Sequence, residues 1–460
     1  MSRSKVSRRE FLKAALTAAA ALAMKRAGAQ AQSGSGERIL IIGAGVAGLT
    51  AARYLQEAGY RDITVLEGRD RIGGRTWTSE AWRDIPLDMG ASWIQGIEDN
   101  PIWELAQSAG IETVETSEEV VVAYYADGTP LSEAEMEELD QSAEALLSEA
   151  EPDDDEDEDY SLQEAIDELL ADETLSAEER QALDFWLGTT IGHEYAAELH
   201  ELSALSWSED EGMGGASVIF PNGYKQIVEL LAADVAIELA QVVREIHLEN
   251  GGVRVVTDRG EFRAERCLVT VPLGVLKSGK IAFSPPLPAA KQEAIAALGM
   301  GLLNKLYLRF PSVFWDQEAG WINYLAPEKG EWMSWLNLNR YLGVPVLMAF
   351  NSGDYGRQIE ALDDTEIVAR AMDTLRRLYG EDIPEPDQWQ ITRWASDPFS
   401  FGSYSFNAVG SNSDTRDALA EPIDGVLYFA GEATVSDFPA TVHGAYLSGI
   451  RAAEALIEDW

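Results

Sequence analysis

The chain has 460 residues, 46% of them hydrophobic, which exceeds one ordinary core and makes two domains the expectation. Its 79 acidic residues against 35 basic ones give a formal net charge of −44, which argues against nucleic acid and anionic membranes as partners. Once the N-terminus is set aside, no apolar run reaches the ~18 residues of a membrane-spanning helix.

The first element is a targeting segment. Ser7-Arg8-Arg9-Glu10-Phe11-Leu12-Lys13 precedes an Ala/Leu-rich run over 14–23 and a small-residue stretch, Ala27-Gly28-Ala29-Gln30-Ala31. Charged start, modest apolar stretch and small-residue cleavage region are the features of a twin-arginine signal peptide, assigned to residues 1–32. The expectation is a protein exported already folded by the twin-arginine machinery to the periplasm or beyond, with no stable membrane insertion after signal removal.

Next comes Arg38-Ile39-Leu40-Ile41-Ile42, an apolar run expected as a strand buried on both faces. Gly43, Gly45 and Gly48 follow at G-x-G-x-x-G spacing and lead into a helical pattern over 49–55. Glycines at these places permit a tight turn, close backbone approach to a pyrophosphate, and helix–strand packing. The helix N-terminus favours the phosphate charge. A second strand, 62–66, ends in Glu67, whose carboxylate is placed to accept from ribose hydroxyls.

From residue 98 to about 207 the pattern turns helical and acidic. Helical spacing runs over 131–147, the acidic run 151–159 reads as a solvated loop, and Ser161 is a plausible cap for a helix carrying Leu162, Ile166, Leu169 and Leu170. Phe220-Pro221-Asn222-Gly223-Tyr224 leads into another helix, and strands are expected at 242–248, 253–257 and 267–271. Cys267, the only cysteine, falls in the last of these as a core residue, so a disulfide or cysteine metal site within one chain is excluded. Later strands are expected at 306–310 and 346–350, with a helix near 367–379. The four histidines are too scattered for a metal site, and none is assigned.

At the far end stand Leu427-Tyr428-Phe429-Ala430-Gly431-Glu432 and Pro439-Ala440-Thr441-Val442-His443-Gly444-Ala445. A second glycine-rich signature distant from the first points to one long cofactor gripped from both ends, and the two together point to FAD.

With Glu67-Gly68-Arg69-Asp70-Arg71-Ile72-Gly73-Gly74-Arg75-Thr76 and Leu87-Asp88-Met89-Gly90-Ala91-Ser92-Trp93-Ile94-Gln95-Gly96, the sequence resembles the flavin-containing amine oxidase superfamily, in its polyamine oxidase and lysine-demethylase-like branch. The resemblance implies an α/β fold: a Rossmann-like FAD-binding domain from 37–96, 209–283 and 396–460, interleaved with an α+β substrate-binding domain from 97–208 and 284–395. It implies FAD contacts at Gly43, Gly45, Ala47, Gly48, Glu67, Arg69, Gly74, Arg75, Ser92, Trp93, Val243, Trp394, Gly431, Glu432, Thr441 and Val442. Lys305 matches the family lysine that holds a water against flavin N5, and Tyr404 an aromatic wall that orients the amine. Gln95, Glu194 and Thr441 complete the implied substrate contacts. Gln95 stands where polyamine oxidases commonly have histidine, and Thr441 where monoamine oxidases place a second tyrosine, which implies a more open site. Where monoamine oxidases attach flavin through cysteine, this chain reads Gly402-Ser403-Tyr404, so the FAD is expected to be noncovalent.

The expected activity is oxidation of polyamines of the spermidine and spermine class, with dioxygen reoxidising the flavin to give hydrogen peroxide. An L-amino-acid oxidase or another monoamine oxidase of the same fold is the enzymatic alternative. The Gly90-Ala91-Ser92-Trp93 stretch lacks the arginine that amino-acid oxidases place there. A redox-inactive flavin-binding module is the alternative of another class. Only nine of the cations are lysine, and we read the acidic excess mainly as adaptation to a salt-rich habitat, with attraction of cationic substrates a lesser part.

Overall fold

The computed structural model describes residues 37–117, 120–150, 158–171 and 173–459. The signal segment 1–32 lies outside the described residues, as do residues 151–157 of the acidic run.

A five-stranded parallel sheet sets the frame, in the order Leu427–Phe429, Arg266–Val269, Ile39–Ile42, Ile63–Leu66, Ile237–Glu238. Its central strand is apolar at every position because both faces are covered; Ile39, Leu40 and Ile41 are fully buried. Cys267 pairs with Leu40 and Leu427 in this sheet and is likewise buried. On one face, helix Val46–Glu57 packs against helix Val442–Glu458. Gly449 makes that approach possible, since a Cβ there would lie 2.4 Å from the Ala47 carbonyl oxygen. The helices after the two glycine signatures, almost 400 residues apart in sequence, therefore lie side by side.

Beside this sheet lies a four-stranded one, Gly260–Ala264, Gly252–Thr257, Val243–Glu249, Ala282–Ser284. A six-stranded sheet of 388–391, 303–309, 346–352, 334–337, 321–324 and 121–124 forms a separate core with helices Leu162–Leu169, Ala177–Leu187 and Asp364–Tyr379. Two small sheets lie between the frames: Gly299–Met300 with Ser405–Phe406, and Ser217–Ile219 with both Trp93–Ile94 and Val114–Thr116. The chain crosses repeatedly between the two cores, and a cavity opens where it crosses.

Local signals account for the helix starts. Ser132, Ser161 and Ser176 each form a capping box with a glutamate three residues on, starting Glu133–Glu149, Leu162–Leu169 and Ala177–Leu187. One expectation fails at Asp159. Its carboxylate accepts from Ser203 Oγ (2.9 Å) and the Gly410 amide (2.5 Å), so the end of the acidic run anchors two segments rather than facing solvent alone.

Candidate active site

The cavity has a volume of about 750 Å³. One end is formed by Gly45, Val46, Ala47, Gly74 and Arg75 together with Gly431, Glu432, Thr441 and Val442. The other carries Lys305, Trp394 and Tyr404, then opens past Gln95 and Glu194. Both are exposed at its rim.

The glycines have distinct tasks. Gly43 has φ +109°, and a Cβ on it would lie 2.6 Å from Thr270 Oγ1. A Cβ on Gly48 would lie 2.1 Å from the Gly43 carbonyl oxygen, so its bareness permits the helix to sit on the strand. A Cβ on Gly45 would meet nothing within 4 Å, and this residue lines the cavity. Two glycines thus build the turn, and the middle one bares backbone to a ligand at a 12-residue helix's N-terminus.

Glu67 sits beside this turn, its buried carboxylate accepting from the amides of Ala44 (2.8 Å) and Arg69 (2.8 Å). Arg69 forms a two-pronged pair with Asp397, both contacts at 2.8 Å. The backbone of 240–241 bonds to the Glu67 and Arg69 carbonyls, which brings Val243 alongside. Gly43, Gly48, Glu67, Arg69 and Val243 all lie outside the cavity lining, next to its glycine end.

Glu432 is the hub of the opposite grip. Its buried carboxylate accepts from Arg75 Nη1 (2.7 Å), Ser405 Oγ (2.6 Å) and the Ala440 amide (3.1 Å). Burial alone would raise its pKa, but Arg75, the Ser405 hydroxyl and Arg416 together hold it below the ordinary carboxylate range. Thr441 caps the 17-residue C-terminal helix, accepting from the Gly444 amide and donating to the Phe438 carbonyl, both at 2.9 Å. Its hydroxyl is thus committed to the cap, while the residue, implied as a flavin and substrate contact, lines the cavity.

Lys305 is buried on strand Leu303–Arg309. Its amine donates to the carbonyls of Asp88 (3.0 Å) and Gly90 (2.6 Å) and to Ser92 Oγ. Burial holds the ammonium well below the ordinary lysine range, with the Asp88 carboxylate opposing. Asp88 itself is pushed upward by burial, against bonds from Thr78 and Tyr224 and the attraction of Lys305. Trp93, Trp321 and Phe350 form an aromatic group with centroids 6.1 Å apart, and the Lys305 amine lies 5.6 Å from the Trp93 ring. Trp394 meets Trp77 edge-on, and Tyr404 donates to the His193 carbonyl at 2.5 Å.

Several wall residues escaped sequence reading. Asp140 accepts from Trp186 Nε1 (2.9 Å) and Asp210 from Tyr195 (3.0 Å); both line the cavity with Glu194, Asp140 and Glu194 exposed and Asp210 half-buried. Arg416, almost fully buried, lines it as well. Burial keeps His193 and His443 low, each at about 4, so both are neutral near pH 7. Among the described residues no group of metal-ligating side chains is present.

A bared glycine turn, two helix N-termini, a carboxylate grip and a cavity running from them to a buried lysine fit FAD, with the glycine end taking pyrophosphate. Ser403 lines the cavity, and Cys267, which is buried, is not part of its lining.

Comparison with known proteins agrees with this geometry. The family model described as flavin containing amine oxidoreductase matches residues 46–457. Lysine-specific histone demethylase 1 homolog 1 of Oryza sativa subsp. japonica is 37% identical over 444 residues, 91% of this chain but 52% of that protein. The chain thus spans about half the length of such demethylase homologues. Polyamine oxidase 4 of the same organism is 35% identical over 92% of this chain and 89% of its own length, and polyamine oxidase 2 of Arabidopsis thaliana 35% over 90% and 87%. Among solved structures, a putrescine oxidase double mutant redesigned in its cofactor binding superposes with a TM-score of 0.73 at 22% identity, covering 92% of this chain and 99% of that one. The cofactor is FAD, and the chain belongs to the flavin-containing amine oxidoreductase family.

Proposed function

We propose that the protein is an amine oxidase of the polyamine class, using dioxygen as electron acceptor and binding FAD noncovalently. The observation that carries this reading is the distribution of charge along the cavity. Among the lining residues Lys305 and Arg416 are buried and Arg75 is half-buried, while the carboxylates Asp140 and Glu194 are exposed and Asp210 is half-buried near Arg416. A substrate with several ammonium groups is held by the carboxylates while one amine reaches the aromatic chamber. The similarity to polyamine oxidases over nearly their full length supports the same class.

When bound, FAD supplies hydride acceptance at the flavin ring and passes the electrons on to dioxygen. The chain's own residues prepare the amine. Tyr404, with its hydroxyl fixed on the His193 carbonyl, presents a ring face that orients the carbon beside nitrogen. His193 and His443 are neutral and add no repulsion to an incoming cation. Burial weakens proton binding at Lys305, and because the ammonium spends its three hydrogens on the Asp88 and Gly90 carbonyls and Ser92 Oγ, holding a water requires that one of these partners be released. Loss of hydride from a neutral amine gives an iminium ion, which water hydrolyses to an aldehyde and a shorter amine.

We also propose export by the twin-arginine route, on the strength of Ser7-Arg8-Arg9-Glu10-Phe11-Leu12-Lys13. No helix among the described residues is long and apolar enough to cross a membrane. Replacing Arg8 and Arg9 with lysine and fractionating cells tests this: the variant stays in the cytoplasm if the reading holds. The substrate reading is tested by product analysis after turnover with spermidine. An aldehyde, a shorter amine and equimolar peroxide are expected, and no turnover of any polyamine would overturn it.

A further inference from the structure

Arg416 does more than help keep Glu432 ionised. It lies on the short helix Ser413–Ala420, is 1% exposed, and still lines the cavity. A buried guanidinium is costly unless its donors are used. Two of its nitrogens have partners in different parts of the molecule. Nη1 donates to Ser405 Oγ at 2.7 Å, and Nε donates to Asn407 Oδ1 at 2.9 Å.

Each partner continues into one wall. The Ser405 hydroxyl spends its single proton on Glu432 Oε2 at 2.6 Å, and Glu432 accepts from Arg75 through its other oxygen. Because a hydroxyl has one proton, the Arg416 donation orients it toward Glu432. On the other side, Asn407 Nδ2 donates to the Ser206 carbonyl at 2.8 Å, and the Ser203 amide donates to the Asn407 carbonyl at 3.0 Å. Ser206 directly precedes Trp207, which packs edge-on against Tyr195, and Tyr195 donates to Asp210. Trp207, Tyr195 and Asp210 all line the cavity and are half-buried.

We propose that Arg416 is a positioning residue that fixes the cofactor grip and the substrate wall together, holding Glu432 through Ser405 and the Trp207–Asp210 wall through Asn407. The charges around it fit this place. Burial lowers its pKa to about 10, while Glu432 and Asp210, one from each wall, oppose that fall together with Glu209. The arrangement makes the amine's fit depend on the same side chain that shapes the FAD grip. The substrate arm rests on the amine oxidase reading; the cofactor arm does not.

Three variants separate the arms. FAD affinity is measured by titrating apoprotein with FAD and following flavin fluorescence, and KM and kcat by peroxide release with spermidine. Ser405→Ala should weaken FAD binding about tenfold and leave KM within twofold, because only the Glu432 arm is cut. Asn407→Ala should raise KM about tenfold with little change in FAD affinity or kcat. Arg416→Met should move both, and in the double variant with Ser405→Ala the loss of FAD affinity should not add to that of Arg416→Met alone. If Ser405→Ala and Asn407→Ala each shift both quantities equally, or neither, the proposal is wrong even if Arg416→Met folds poorly. Wild-type protein that binds FAD but oxidises no amine would defeat the activity reading, while the Ser405→Ala titration still decides the cofactor arm.

Discussion

Replacing Lys305 with methionine tests whether this amine is held in the dry setting the structure shows. The residue is 4% exposed, and its hydrogens go to the Asp88 and Gly90 carbonyls and the Ser92 hydroxyl. Burial lowers its proton affinity in the folded state, whereas the unfolded chain has an ordinary lysine near about 10.4. A depressed folded value means that the unfolded chain binds more protons between the two values. Stability from this group is therefore greatest above the unfolded value and is lost as pH falls toward the folded one. The gap in unfolding free energy, wild type minus Lys305→Met, should rise with pH by about 1.4 kcal/mol per pH unit over the mildly alkaline range, or roughly 2 kcal/mol from pH 8 to 9.5. Urea melts of both proteins at matched FAD would read this difference, in which groups common to the two cancel. A constant gap across that range would show an ordinary, hydrated lysine and refute the reasoning. Flavin reoxidation should lose a pH-dependent limb in the variant, measured by stopped-flow mixing of reduced enzyme with dioxygen.

Gly45→Ala should leave the apoprotein's melting temperature near wild type yet weaken FAD binding at least tenfold, since its Cβ enters open cavity; Gly48→Ala should destabilise the apoprotein itself by clashing with the Gly43 carbonyl. Calorimetry and FAD titration distinguish the two. Glu432→Gln places an amide against donors from Arg75 or Ser405 and leaves buried cations undercompensated, so FAD affinity should fall by about 2–4 kcal/mol, read by the same titration. Glu194→Gln should raise KM for spermine several-fold and leave that for a monoamine unchanged in steady-state assays, because only a remote ammonium meets the rim.

The sequence made the cofactor end legible because its signals are local. A strand, a glycine turn and a helix start lie within about twenty residues, and the spacing alone says which glycine faces the ligand. Ser161, three residues before Glu164, likewise marked a helix start in the acidic region. The substrate wall was less legible because its residues converge from distant elements. Asp88 stands in the segment 87–96, but only Lys305, 217 positions later, reveals that it is one of a buried pair. Nothing in the sequence around Arg416 sets it apart from the other arginines. Its burial follows from two acceptors on the strand and loop at 405–407, which no periodicity announces. Asp140 and Asp210 were hidden in acidic composition, where most carboxylates are simply solvated.

Anaerobic stopped-flow reduction of the purified flavoprotein with spermidine, spermine, a monoamine and an L-amino acid tests the central claim most directly. Rapid loss of oxidised-flavin absorbance with the polyamines, and slow or no loss with the other two, is the predicted result. Reduction by the amino acid alone, or by none of the four, would contradict the account.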